Sequence, residues 1–294
     1  MRFLENRTRR QNAFTMVEIA LCLAIVGFAL VVIMGVLPLG GQAQKKNREN
    51  TLSLMDGNYL LEAITQGARG YDDLGLYVDE ILLYSDSDPN GAPKAVIQNN
   101  TSGGTYWGTR EIVGLLSAPR FLLTSSNVWV PNYLNNEGIL RNNLYTNMTC
   151  RLKMRSMNGT ASDKSNSDTS RDFGMAYLVE VDVLPVQTNS LNVNQLTSKD
   201  PSLTEKMKEE RSLSQNVYQV SVTLSWPLKK AEKGGYKAGG NSQLFRTLVS
   251  GSMTHSVVQA DLPGLGNRDV VFWYFNGNEF SVTNNTSFYD DLAK

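Results

Sequence analysis

Glu18 is the residue of this sequence whose position most strongly suggests a chemical role. It is the only charged residue between positions 14 and 39, in a run that is otherwise almost entirely apolar. An acid at the centre of a bilayer costs about 2.5–3.5 kcal/mol on insertion scales, so such a residue is by default functional. A buried carboxylate also needs a cation or hydrogen-bond donors close by. The sequence therefore raises the question of which group meets Glu18.

A second set of oxygen-bearing side chains lies in the stretch Asp86-Ser-Asp88-Pro-Asn90-Gly91. Alternating Asp and Asn residues before a glycine are typical of the start of a calcium loop. Position 97, where an EF-hand-like loop needs its glutamate, is an isoleucine. We therefore favour a Pro-Asn-Gly turn in which the Asp side chains cap backbone amides. A calcium site at Asp86, Asp88 and Asn90 is the alternative.

The other reactive residues form no motif that the sequence reveals. Cys22 lies in the apolar run and Cys150 far downstream, so we expect no disulfide between them. The single histidine, His255, has no metal-binding spacing and no catalytic acid in a motif beside it. Lysine and arginine balance aspartate and glutamate, 28 against 28, so no global field attracts nucleic acid. We predict no catalytic residues, no cofactor and no nucleic-acid partner.

The apolar run is long enough to cross a membrane. As a helix, its first 24 residues or so span about 36 Å, which exceeds the hydrocarbon core. The preceding leader has one acid, Glu5, and four arginines, at positions 2, 7, 9 and 10. Such a basic flank favours a cytoplasmic N-terminus, although the basic residues at 45, 46 and 48 argue weakly for the reverse. We expect the bulk of the chain on the far side of the membrane.

The segment Arg10-Gln-Asn-Ala13-Phe14-Thr-Met-Val-Glu18 resembles the cleavage region of type IV prepilins and pseudopilins. In that family a dedicated membrane peptidase cuts after a basic leader and methylates the new amino terminus, which is usually Phe. The fifth mature residue is Glu, and an apolar helix follows. The end of the apolar segment is also similar to that of Verru_Chthon cassette protein B. The resemblance covers residues 1 to about 65.

The resemblance assigns roles to three residues. Cleavage would fall between Ala13 and Phe14, Phe14 would be N-methylated, and Glu18 would be the fifth mature residue. In a filament, Glu18 would pair with the amine of Phe14 from a neighbouring subunit and set the register of assembly. The implied partners are the prepilin peptidase, other pilin-like subunits and the inner membrane. Ala13 departs from the family's preferred Gly, and we expect slower processing there.

Apolar periodicity continues beyond the membrane segment. Leu52, Met55, Tyr59 and Ala63 recur at three or four residues, with Leu60 and Ile64 beside them, whereas Asp56 and Glu62 fall mostly elsewhere. This spacing predicts an amphipathic helix that packs one stripe on a sheet. Gly67 and Gly70 are its expected stop signals. The membrane and amphipathic parts together predict one helix of about 50 residues.

Period-two alternation predicts the strands that the helix covers. The predicted strands are residues 176–186, 217–228 and 244–253, the last after a loop containing Gly234-Gly235 and Gly239-Gly240. Residues 80–85 and 94–98 predict a hairpin, and so do residues 269–282 around Asn276-Gly277, whose aromatic run we assign to the core. The predicted fold is α+β, a long N-terminal helix on an antiparallel sheet. The resemblance implies a pilin-like roll.

The predicted organisation has four parts. Residues 1–13 are a cytoplasmic leader, 14–39 a transmembrane helix, 40–67 its amphipathic continuation, and 68–294 a β-rich domain in the periplasm or outside the cell. The resemblance implies a single-pass, inner-membrane minor pilin or pseudopilin, assembled after cleavage into a type IV pilus or a type II secretion-like filament. The alternative is a signal-anchored envelope adhesin or enzyme that does not polymerise.

Overall fold

The computed structural model describes residues 15–85, 91–99, 107–123, 129–131, 148–158, 175–186, 213, 215–231, 235–262 and 266–280. The chain divides into two compact units, Met1–Thr51 and Leu52–Lys294. Among the described residues, the first unit consists of the larger part of one helix, and the second contains the end of that helix and the strands.

Helix α1 runs from Met16 to Thr65 and has 50 residues, which confirms the predicted length. Among the described helices, it is the one that is long and apolar enough to cross a membrane. Every side chain from Thr15 to Val36 is exposed. An all-round apolar and exposed helix surface is stable only in an apolar environment, which a bilayer or a bundle of similar helices supplies.

The helix ends where the glycines predicted it would. Gly67 has φ +60° and Gly70 has φ +81°. The amide of Ala68 donates to the carbonyl of Ala63 at 2.9 Å, and the amide of Gly67 donates to that of Ile64 at 3.1 Å. These are the two hydrogen bonds of a Schellman motif, which satisfies carbonyls that the last turn leaves without partners.

The second unit is built on a six-stranded antiparallel sheet with the order β2-β1-β5-β6-β7-β8. Its strands are β1 (Val78–Ser85), β2 (Ala95–Gln98), β5 (Met148–Arg155), β6 (Ala176–Pro185), β7 (Val217–Lys230) and β8 (Tyr236–Ser250). The predicted hairpin at residues 80–98 is confirmed, since β1 and β2 pair antiparallel. The alternating residues of β7 from Tyr218 to Trp226 are buried, as the period-two pattern predicted.

The end of α1 packs on one face of this sheet. Leu60, Ala63 and Ile64 are fully buried in a core that also contains Val179 and Val222. The face that docks differs from the predicted stripe, however. Met55 is 52% exposed, whereas Asp56 is fully buried. The prediction was wrong for the first part of this segment. There the side of the helix that packs on the sheet carries small and polar residues rather than large apolar ones.

A two-stranded sheet and a short helix complete the core on the helix side. Besides α1, the described elements outside the main sheet are a short 3-10 helix (Leu74–Leu76), α2 (Thr109–Leu116), β3 (Phe121–Leu123), β4 (Trp129–Pro131), β9 (Ser252–Leu262) and β10 (Gly266–Asn276). Strand β10 pairs with β9, and Glu279 and Phe280 after the Asn276-Gly277 turn are not in a strand. The hairpin predicted around Asn276-Gly277 is therefore wrong for the described residues, and residues 281 and 282 lie outside them. The aromatic run Phe272–Phe275 is buried, as predicted.

The tip of the β7–β8 hairpin packs against the opposite face of the main sheet. A small cluster on this face consists of Leu82, Tyr84 and Leu178. The residues from the hairpin that pack on it are Leu228, Tyr236 and Ala238. The Tyr236 hydroxyl donates to Glu80 Oε1 at 2.8 Å.

The prediction placed Gly239-Gly240 in a loop and extended the next strand to residue 253. Both glycines instead lie within β8, and that strand ends at Ser250.

Gly239 is required at that point by close packing. A Cβ atom at residue 239 would lie 2.5 Å from Cδ of Pro227, on the strand opposite. The ladder is irregular at the same level, between Trp226 and Leu228. A glycine in a strand often marks such a close backbone approach rather than a loop. Gly251, with φ +127°, then separates β8 from β9.

Candidate functional site

Glu18 forms a capping box with Thr15 at the start of α1. The amide and the hydroxyl of Thr15 each lie 3.1 Å from Glu18 Oε2, and the Glu18 amide lies 3.4 Å from Thr15 Oγ1. In a capping box the two side chains satisfy each other's otherwise unpaired backbone donors. Sequence reasoning missed this pair, although Thr-x-x-Glu before an apolar run is its ordinary signal. The isolated chain thus provides local donors for Glu18.

The capping box gives Glu18 a fixed position at the end of the helix. One carboxylate oxygen, Oε2, accepts both Thr15 hydrogen bonds. A carboxylate has capacity for about four hydrogen bonds, so further capacity is available to an incoming cationic donor. Negative charge in the first turn is also favourable for the helix dipole. The arrangement can hold an ammonium group from another molecule.

The other residues that the sequence predicts to be functional lie outside the described part of the chain. Ala13 and Phe14 lie outside the described residues, and so do Asp86, Asp88 and Asn90 of the calcium alternative. These assignments remain predictions. Within the described ranges, no group of three or more His, Cys, Asp and Glu residues is placed to hold a metal ion. His255 is exposed and its ring lies 5.5 Å from that of Trp273.

The first unit also has a shallow open groove along one side of the helix. It is lined by the residues Val32, Ile33, Val36, Gly40, Gly41 and Gln44. A Cβ atom at Gly40 or Gly41 would meet no described atom within 4 Å, so there is space beside both glycines. Small residues on an apolar helix allow the backbone of a second helix to approach closely. The groove therefore suits helix–helix contact.

Asp56 is a polar centre that sequence reasoning missed. Its Oδ1 accepts from the side-chain amide of Asn158 at 2.7 Å and from the backbone amide of Met157 at 3.3 Å. Its Oδ2 accepts from the Ser156 hydroxyl at 2.6 Å. Burial raises the pKa of Asp56, while hydrogen bonds from Ser156, Asn158, Tyr177 and Met157 act in the opposite direction. No local pattern could have indicated this cluster, because its donors lie in β6 and in the segment after β5, far from Asp56 in the chain.

Ser53, one turn before Asp56, makes a second polar contact with the sheet. Its hydroxyl donates to Gln243 Oε1 at 2.6 Å, and the residue is fully buried. Gly57 completes this part of the helix surface, because a Cβ atom there would lie within 2.3 Å of two ring atoms of Phe245. The docked face of α1 therefore changes from polar and small at residues 53–57 to apolar at residues 60–64.

Comparison with known proteins provides no relative. No protein-family model, curated protein or solved structure matches this chain. Function is therefore inferred from the residues themselves.

Proposed function

We propose that this chain is a pilin-like structural subunit, a minor pilin or pseudopilin, and not an enzyme. One observation carries the proposal: Glu18 is the only charge in the apolar run of residues 14–39, and this run follows a basic leader that ends at Ala13. A plain membrane anchor has no need of an acid at this point, since the acid makes insertion less favourable. A subunit whose helix later packs among identical or related helices does need a device that fixes its register.

The proposed sequence of events begins in the inner membrane. The leader stays on the cytoplasmic side, and the prepilin peptidase cuts between Ala13 and Phe14 and methylates the amine of Phe14. In the filament, the Phe14 amine of one subunit meets Glu18 of its neighbour. A desolvated carboxylate without a cation is strongly unfavourable, so misaligned subunits are rejected. Thr15 holds the Glu18 side chain at the helix end until that partner arrives.

The architecture of the second unit supports the same proposal. The last turns of α1 pack on an antiparallel sheet whose residues supply the core, which is the arrangement expected of a pilin-like roll. The unit extends from Leu52 to Lys294 and contains several strands beyond those that the helix covers. A large distal unit suits a minor subunit better than the repeated major subunit of a filament. The open groove at Gly40 and Gly41 suits packing of neighbouring helices.

Replacement of Glu18 tests the register role. The Glu18→Ala chain should be processed and inserted but should lose co-purification with its filament, by about tenfold or more, because the Phe14 amine then has no counter-charge. Glu49→Ala is the matched control, the same chemical change on the same helix outside the apolar run. Co-purification of Glu18→Ala at the level of the unaltered chain would favour the competing view, a signal-anchored adhesin or enzyme that never polymerises.

A further inference from the structure

The docked part of α1 is held to the sheet by two different kinds of contact. We name Ser53 and Asp56, with the residues they bind, the polar latch, and Leu60, Ala63 and Ile64 the apolar lock. The latch consists of hydrogen bonds to Gln243, Ser156, Met157 and Asn158. The lock consists of fully buried apolar side chains in the main core.

The two kinds of contact differ in how readily they can be exchanged for water. A hydrogen bond in the folded chain replaces one to water, so its net contribution is modest, on the order of 1 kcal/mol. Opening the latch lets Asp56 regain hydration, which offsets part of the loss, because burial of a carboxylate is unfavourable. Opening the lock exposes large apolar side chains with no such compensation. The latch is therefore the weaker of the two.

The local sequence of the latch also has little tendency to be helical. Residues 53–58 read SLMDGN, and four of these six residues are Ser53, Asp56, Gly57 and Asn58. Each of these residue types is less favourable in a helix interior than Ala, and Gly is so by about 1 kcal/mol. Gly57 has a packing reason, since the ring of Phe245 occupies the place of its side chain. The helix in this segment depends on the latch contacts.

We propose that residues 53–58 are a releasable part of the fold, which opens and recloses while the apolar lock keeps the rest of α1 on the sheet. Opening moves the point at which the helix leaves the folded unit from Leu52 to Leu60, about 12 Å along the helix. Opening therefore lengthens the part of α1 that is not packed on the sheet, and reclosing shortens it again. The device depends only on the second unit and not on cleavage or filament assembly.

Hydrogen exchange of the full chain in detergent micelles tests this inference. In the Ser53→Ala/Asp56→Ala variant, amides of residues 53–58 should exchange at least about tenfold faster, since the loss of several hydrogen bonds of the closed state outweighs the higher helix propensity of the two alanines. Amides of residues 60–65 and of strands β6 and β7 should change by less than about twofold, since the apolar lock is a separate unit of opening. Glu62→Ala, an acid on the exposed side of the same helix, is the matched control.

A second variant acts in the opposite direction. Asn58 is exposed, and Asn58→Ala should slow exchange of residues 53–58 about threefold through the higher helix propensity of Ala. Acceleration of residues 60–65 and the strands by the same factor as residues 53–58 would show that helix and sheet open together, which overturns the inference. Unchanged exchange of residues 53–58 in the double variant would overturn it too. Neither result depends on whether the chain is cut at Phe14.

Discussion

Asp56 and Ser156 are joined by a hydrogen bond of 2.6 Å, although 100 residues separate them in the chain. The acid lies on a helix and the hydroxyl follows a strand, so the contact exists only once the helix has docked. It places a fully buried carboxylate on the face of α1 that touches the sheet. This pair defines which face of the helix is inside, and it makes the docking sensitive to the charge of one group.

Docking of the helix at Asp56 should weaken as the pH rises. Burial raises the folded-state pKa of Asp56 above its ordinary value of 3.8, so the folded chain binds the proton more tightly than the unfolded chain does. The contribution to stability is then fully present below pH 3.8 and is lost as the pH rises through the raised folded pKa. Exchange of residues 53–58, corrected for intrinsic rates, should be slower on the acidic side of this window.

The Asp56→Asn variant provides the control for this prediction. Asn does not titrate, so the corrected exchange rate of residues 53–58 should no longer depend on pH across the same window. Among the described residues, the groups that donate hydrogen bonds to Asp56 are the hydroxyls of Ser156 and Tyr177, the side-chain amide of Asn158 and the backbone amide of Met157, and none of these is ionised at acidic pH. A pH dependence that persists in Asp56→Asn would assign the effect to another group.

Alanine substitutions at Gly67 and at Gly70 should lower the stability of the fold by different amounts. Both have positive φ, a conformation that costs a residue with a Cβ atom about 1–2 kcal/mol. At Gly67 the added Cβ would also lie 2.7 Å from the carbonyl oxygen of Phe275, whereas at Gly70 it would meet nothing within 4 Å. Gly67→Ala should therefore lower the free energy of unfolding by about 1–3 kcal/mol more than Gly70→Ala. Urea unfolding of the two full chains measures this, and equal losses would contradict the packing account.

The sequence reveals the elements of this fold better than it reveals their contacts. The length of α1, its end at Gly67, and the hairpin of β1 and β2 were all predictable, because capping and alternation are local properties. The docked face of α1 was not predictable. Met55 continues an apolar pattern but is exposed, because Asp56 and Gly57 find partners in strands that are distant in the chain.

The glycines of β8 are a second case in which a local sequence pattern did not predict the structure. Gly239-Gly240 has the appearance of a turn, yet both residues lie within a strand, where Pro227 on the opposite strand leaves no room for a side chain at position 239. Strand β9 follows β8 after a single residue, Gly251, so no loop separates the two patterns. At the candidate site, the pairing of Thr15 with Glu18 was readable from the sequence, whereas the cluster around Asp56 was not.

In the proposed processing by a prepilin peptidase, substitutions at Ala13 should change the rate at which the leader is removed. Ala13→Gly restores the residue that prepilin processing prefers and should increase the fraction of cut chain in a fixed time. Ala13→Leu places a branched side chain at the bond to be cut and should leave the leader attached, because a site shaped for a small residue excludes it. Immunoblotting of membranes separates the two chain lengths. Equal processing of all three chains would show that position 13 does not direct the cut.

The central claim is tested most directly by mass spectrometry of the N-terminus of the chain isolated from membranes in which a prepilin peptidase is active. The account predicts a mature chain that begins at Phe14 and carries one methyl group on its amine. An intact chain beginning at Met1, or a chain cut near residue 43, would contradict it.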